Sequence, residues 1–90
     1  MSAYNYQITS DISFATATGI LLAVTGIIEE QPSLTIDLAK AGRCTSVAVA
    51  LLLQIKEVAC KQKKTVDFLN IPSEIIDLAK LSNVENLLLH

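Results

Sequence analysis

The sequence contains no tryptophan, one histidine, two cysteines, two prolines and three glycines, with two tyrosines and two phenylalanines as its only aromatic residues. Each scarcity removes a class of function. The histidine is His90, the last residue, so neither Ser46 nor Cys44 has an obvious base near it in sequence to activate it as a nucleophile. There is no CxxC pair and no His/Cys cluster, so a zinc ion would find no ligands. Two cysteines in so apolar a chain do not make a disulfide scaffold. Cys60 reads as a reduced packing residue in a helix, whereas Cys44 lies beside a candidate functional turn. No glycine-rich phosphate loop is present. Seven basic residues stand against nine acidic ones, a net charge of -2, and nothing suggests a surface for nucleic acid. The dense basic run Lys61-Gln62-Lys63-Lys64 reads as a helix C-terminus, where positive charge complements the backbone dipole. The parts of an enzyme are missing, and neither cofactor nor metal is expected.

What the chain does have is apolar side chains. Hydrophobic residues make up 51% of its 90 positions and charged residues 18%, so the excess must fill a tight core or face a partner. This length allows one domain, 1–90. A domain so small is marginal in stability unless a partner helps. The longest apolar segment, Phe14 to Ile28, is short for a membrane span and holds Thr16, Thr18, Gly19, Thr25 and Gly26. It also lacks the charged start of a signal peptide, since the first basic residue is Lys40. It reads as a buried helix, and the expected location is the cytoplasm with no direct membrane insertion.

Periodicity supplies the elements. Tyr4 to Thr9 alternates as a half-buried strand. Asp11 or Ser13 can cap a helix from Phe14 to Glu30, whose apolar stripe is Phe14, Ala17, Leu21, Val24 and Ile28. Gln31-Pro32-Ser33 ends it. Leu34 to Leu38 is a second strand, Ala39 to Thr45 a loop, and Ser46 to Lys61 a second helix. Thr65 to Leu69 is a third strand. Pro72 opens a third helix running to Leu81, where Ser82-Asn83 stops it. Val84 to Leu89 is a final strand or helical turn. The pentapeptide Ile-Asp-Leu-Ala-Lys occurs at 36–40 and again at 76–80. Its flanks predict a strand for the first copy and a helix for the second. The expected fold is α/β, a small mixed but mainly parallel sheet of three or four strands with about three helices, covering one face.

The step from Leu34–Leu38 through Cys44 to Thr45-Ser46 is the candidate functional unit. A serine there can cap the helix, or it can present its hydroxyl to a phosphate or a partner. In the helix that follows, Ala48, Leu51, Leu52, Ile55 and Ala59 form a core-facing stripe. Val49, Ala50 and Leu53 fall to the other side, where a surface helix normally carries charge, and an apolar patch there points to an interface.

Leu34-Thr35-Ile36-Asp37-Leu38 through Leu53 resembles the core of the STAS domain, in which a hydrophobic-Asp-hydrophobic strand end leads to an Asp-Ser/Thr-x-Gly turn and an apolar helix. Here the turn reads Thr45-Ser46-Val47-Ala48. Ser10 to Thr16 is similar to the preceding strand-to-helix step, and Thr65 to Pro72 to the following strand. Thr45 stands where the family has Asp, Ala48 where it has Gly, and the family's first strand has no counterpart. The likeness is greatest to the MlaB-type branch, the small cytoplasmic subunits of bacterial ABC phospholipid transporters that maintain outer-membrane lipid asymmetry. It implies a non-catalytic accessory subunit on the transporter's ATPase and, through it, the membrane permease, peripheral to the inner membrane. Thr45, Ser46, Val49, Ala50 and Leu53 would then form the contact. The alternative implied by the family is an anti-sigma-factor antagonist, switched when an anti-sigma kinase phosphorylates Ser46. The changes at Thr45 and Ala48 predict poor phosphorylation.

Overall fold

The computed structural model describes residues 5–81. Tyr4, the Ser82-Asn83 stop, the segment Val84 to Leu89 and His90 lie outside the described residues. In chain order the elements are β1 (Tyr6–Gln7), α1 (Phe14–Glu30), β2 (Ser33–Asp37), α2 (Ser46–Lys61), β3 (Thr65–Leu69) and α3 (Ser73–Leu81). The strands lie in the order β1-β2-β3, and both pairings are parallel. The expected α/β fold is therefore present, and among the described residues the sheet is wholly parallel rather than mixed. Right-handed crossovers, the rule for parallel neighbours, put α1 and α2 on one face, and α3 packs against α2. α2 packs between α1 and α3 and against β3.

Strand alternation decides what each face holds. Leu34, Ile36 and Leu38 are buried beneath the helices, and the register sets Tyr6 and Phe68 on either side of Ile36. The opposite face carries Gln7, Thr35, Asp37 and Asp67, with the half-buried Leu69 beside Asp37. β1 is shorter than expected, yet the Asn5 amide N–H donates to the Thr35 carbonyl (2.9 Å) and the Ile8 N–H to the Asp37 carbonyl (3.0 Å). The pairing thus reaches from residue 5 to residue 8.

The helices begin and end for identifiable reasons. Ser13 is the N-cap of α1. Thr16 Oγ1 accepts from the Ser13 N–H (3.0 Å) and donates to the Asp11 carbonyl (2.6 Å), so the first turn is tied to the loop before it. Gln31, in extended conformation, ends α1 just before Pro32, as the restriction on a residue preceding proline requires. α2 ends at Lys61, whose ammonium also meets Glu57 at 3.1 Å. The Pro72 carbonyl accepts from the N–H groups of Ile75 and Ile76, so α3 starts directly after the proline.

The two copies of the pentapeptide differ in structure as expected, but the strand predicted over 36–40 stops at Asp37, and Ala39 and Lys40 form a turn. Ile36 and Asp37 close β2, and the Leu38 N–H still pairs with the Leu69 carbonyl at 2.9 Å. The copy at 76–80 lies wholly within α3. The predicted core stripe of α2 is buried in full. The stripe of α1 needs correction. Ile20, Val24 and Ile28 are its buried residues, while Phe14 is 88% exposed. Phe14 stands ten residues before Val24, which is about 80° around the helix, so it turns away from the sheet. Cys60 is exposed and is not a packing residue.

Candidate functional site at the start of two helices

The C-terminal ends of the strands converge on Asp37, which is only 7% exposed. Its Oδ1 accepts from the Asn70 amide (2.9 Å) and the Ala39 N–H (3.0 Å), and its Oδ2 from the Gln7 amide (2.9 Å). One carboxylate thus links β1, β2 and the residue after β3. Asn70 adopts a left-handed backbone with φ 56°, a conformation asparagine tolerates better than most residues. The Asn70 amide is the chief cause holding the Asp37 carboxyl below its ordinary value of 3.8. The Ala39 N–H, the Gln7 amide and the charge of Lys40 add to it against desolvation.

A depressed carboxyl stabilises the fold above its ordinary value and loses that contribution as pH falls through the depressed one. Asp37→Asn should therefore be less stable at neutral pH, because an amide nitrogen would face a donor. Its stability should also fall less steeply with acid below about pH 4. Urea denaturation at neutral and acidic pH measures both effects. Acid dependence equal to that of the unaltered protein would remove Asp37 from this role.

The loop after β2 is stitched to the loop after β1. The Ile12 N–H donates to the Arg43 carbonyl (2.8 Å), the Gly42 N–H to the Ser10 carbonyl (3.0 Å) and the Thr45 N–H to the Ile12 carbonyl (3.2 Å). Asp11 Oδ1 accepts from the Arg43 N–H at 2.8 Å. A Cβ at position 42 would overlap the Asp11 carboxylate, so a larger residue there would displace it from the Arg43 N–H. These bonds fix the starts of α1 and α2 beside each other. Both are positive ends of helix dipoles.

Each sequence-predicted site residue then has a place. Thr45, not Ser46, is the N-cap of α2: its Oγ1 accepts from the Val47 N–H at 3.2 Å. Such a cap is worth about 1 kcal/mol. Ser46 is the first helical residue and is exposed, so its hydroxyl carries no capping duty. Ala50 is exposed and helps line a groove of about 250 Å³ between α1 and α2. Phe14, Ala17, Leu21, Val47 and Gln54 line it as well. Val49 and Leu53 do not. Val49 is 7% exposed, and Leu53 is half-buried against the core. The outward placement read for these two residues is therefore corrected: α2 has neighbours on both flanks, so its buried arc is wider than that of a helix lying on the surface. From the sequence Phe14 was read as part of the core stripe of α1, and Val47 was not singled out. The signal available for Phe14 was a large aromatic in the first turn of a helix with no charge before Glu29.

Cys44 is half-buried, with its thiol against the Gly42 carbonyl at 3.5 Å. Desolvation, then the nearby charges of Glu74 and Asp11, push the thiol above its ordinary value of 9.0. At neutral pH it is protonated, the opposite of what a nucleophile needs. Among the described residues no group of three His, Cys, Asp or Glu side chains could hold a metal ion. Among them also, no helix is long and apolar enough to cross a membrane.

No protein-family model and no curated protein matches the sequence. Among solved structures, the chain is similar in fold to the anti-sigma factor antagonist SpoIIAA in its unphosphorylated form. The TM-score is 0.70 at 11% sequence identity, over 97% of this chain and 80% of the other. The architecture implied by the sequence resemblance is thus the one the chain adopts: a STAS-like α/β fold of three parallel strands and three helices.

Proposed function

We propose that this chain is a non-catalytic regulatory domain that binds a protein partner through the joined N-termini of α1 and α2. One observation carries this reading. Ser46 is exposed at the start of α2 with the capping role taken by Thr45, and an open apolar groove lies beside it. The finer form of the proposal is a MlaB-type accessory subunit seated on the cytoplasmic ATPase of a bacterial ABC phospholipid transporter. The groove suits a standing contact, and Val47, Ala50 and Leu51, within the stretch 34–53 that carries the resemblance, line its α2 wall. Ala48 supports this form too. Its side chain is fully buried, so the family's glycine has been exchanged for a packed helix residue.

A second reading has its own support. The similar structure is that of an anti-sigma factor antagonist described as unphosphorylated. An exposed hydroxyl at a helix N-terminus is a place where the dipole favours a phosphoryl group. In that reading a kinase modifies Ser46 and changes the choice of partner.

Purification of the protein from its own host, followed by mass spectrometry, separates the two. Copurification with an ABC-transporter ATPase and no phosphoserine at 46 is the expected result. Stoichiometric phosphoserine at 46 with a bound kinase would establish the second reading. A chain that binds neither class of partner would overturn the proposal.

A further inference from the structure

We propose that Asp11 and Gly42 form an interlock that sets the alignment of the two groove walls, and with it the affinity for the partner; the inference rests on the function proposed above. Neither residue lines the groove, so both act through what they position. Asp11 stands two residues before Ser13, the N-cap of α1, and Arg43 two residues before Thr45, the N-cap of α2. The bond of 2.8 Å from the Arg43 N–H to Asp11 Oδ1 therefore joins matching points ahead of the two helices, 32 positions apart in the chain. Phe14 follows Asp11 by three residues and Val47 follows Arg43 by four. The tie thus lies about one helical turn of chain from the first lining residue of each wall.

Gly42 has no conformational reason to be glycine. Its φ is not positive, so an alanine could adopt the same backbone. What a Cβ would meet is the Asp11 carboxylate, Oδ1 first. Beyond that group the nearest atom is the Asp11 backbone nitrogen at 3.4 Å, an ordinary contact. The bare Cα at position 42 is the seat of one side chain, and that side chain bonds the N–H of the very next residue.

The interlock contributes to placement more than to stability. The backbone bonds between the two loops come from residues 10 and 12, to Gly42, Arg43 and Thr45, and the Asp11 side chain fills the gap between them. Without its carboxylate the loops stay joined on either side, but the middle of the run is loose. Asp11 and Arg43 are both exposed, so an Arg43 N–H deprived of its acceptor turns to water at little cost. A partner that bridges Phe14 on one wall and Val47 on the other then has to select the seated alignment from a broader set. That selection appears as lost affinity, in proportion to the fall in the seated population.

Two measurements on the full chain test the interlock. Residual dipolar couplings of the free protein read the alignment of the two helix starts, and titration calorimetry reads affinity for the ABC-transporter ATPase that copurifies from the host. Asp11→Ala should move the couplings of residues 14–17 and 46–49 off the single alignment of the unaltered chain. It should weaken ATPase binding about tenfold, as a seated population of about one tenth requires. Its thermal midpoint should shift by no more than about 4 °C, as for other exposed substitutions. Asp11→Asn keeps an oxygen for the Arg43 N–H and should restore both couplings and affinity. Gly42→Ala should reproduce the Asp11→Ala loss. Combined with Asp11→Ala it should cost nothing further, because the new methyl group then meets only the ordinary 3.4 Å contact. Couplings unmoved by Asp11→Ala would overturn the proposal, as would additive losses from the two substitutions. So would an Asp11→Asn variant that fails to bind, which would mean that the carboxylate itself touches the partner. Phe14→Asp tests the reading beneath. If that variant binds normally, the groove is not the contact and the proposed function fails. If it does not bind while Asp11→Ala binds as the unaltered chain does, the interlock alone fails.

Discussion

Truncation of Leu52 to alanine should unfold much of the protein at temperatures the unaltered chain withstands. Leu52 is fully buried at the middle of α2, the helix that packs against α1, α3 and β3. Its side chain is therefore enclosed by neighbours that cannot collapse inward without breaking their own contacts. Leucine-to-alanine changes at such sites cost ~2–5 kcal/mol, the lost transfer free energy plus the cavity left behind. A domain of this size has only ~5–15 kcal/mol in total. Each kcal/mol lowers the thermal midpoint of a small domain by ~4–8 °C, so the drop should be at least about 8 °C. Thermal unfolding followed by circular dichroism measures it. A midpoint that moves by no more than a degree or two would mean that Leu52 is not enclosed as described.

The success of the sequence reading at α2 and its failure at α1 have one physical explanation. Ala48, Leu51, Leu52, Ile55 and Ala59 were legible because a helix laid over a sheet must bury one stripe, whatever surrounds it. The width of that stripe is set by neighbours. Val49 and Leu53 lie inside only because α2 is flanked on both sides, and sequence spacing does not show flanks. Phe14 is the reverse case: it fits the three- and four-residue steps, but ten residues of helix rotate it past the edge of the sheet. The strands were legible from alternation, and the two Ile-Asp-Leu-Ala-Lys copies from what precedes them. The Asp37 clasp was not. Its partners Gln7 and Asn70 are 30 and 33 positions away, and nothing local marks them as amides that will meet a carboxylate. The N-cap was misplaced by one residue, from Thr45 to Ser46, because both side chains can cap and only the backbone chooses. That single step matters for function, since it leaves the Ser46 hydroxyl to be used elsewhere.

Phe14→Asp should leave the fold intact and abolish the partner contact. Phe14 is 88% exposed, and substitutions at such sites change stability by about 0.5 kcal/mol at most. Two features make the change safer still. Phe14 is the first residue of α1, and the first turn holds no acidic side chain. An aspartate there complements the helix dipole, which contributes ~0.3–1 kcal/mol in favour of the fold. The same substitution removes the largest apolar side chain from the groove that Val47 and Ala50 share. A buried aromatic anchor at an interface is worth ~2 kcal/mol or more, about a thirty-fold loss of affinity. An unpaired charge forced into the contact adds to that loss. Leu53→Asp is the informative contrast. Leu53 packs against the core and does not line the groove, so its replacement should lower stability before it affects binding. Titration calorimetry with the partner recovered from the host, alongside thermal unfolding of each variant, distinguishes the two. If Phe14→Asp folds and binds as tightly as the unaltered protein, the partner does not occupy the groove. If Leu53→Asp keeps full stability and loses binding, the contact lies on the opposite flank of α2.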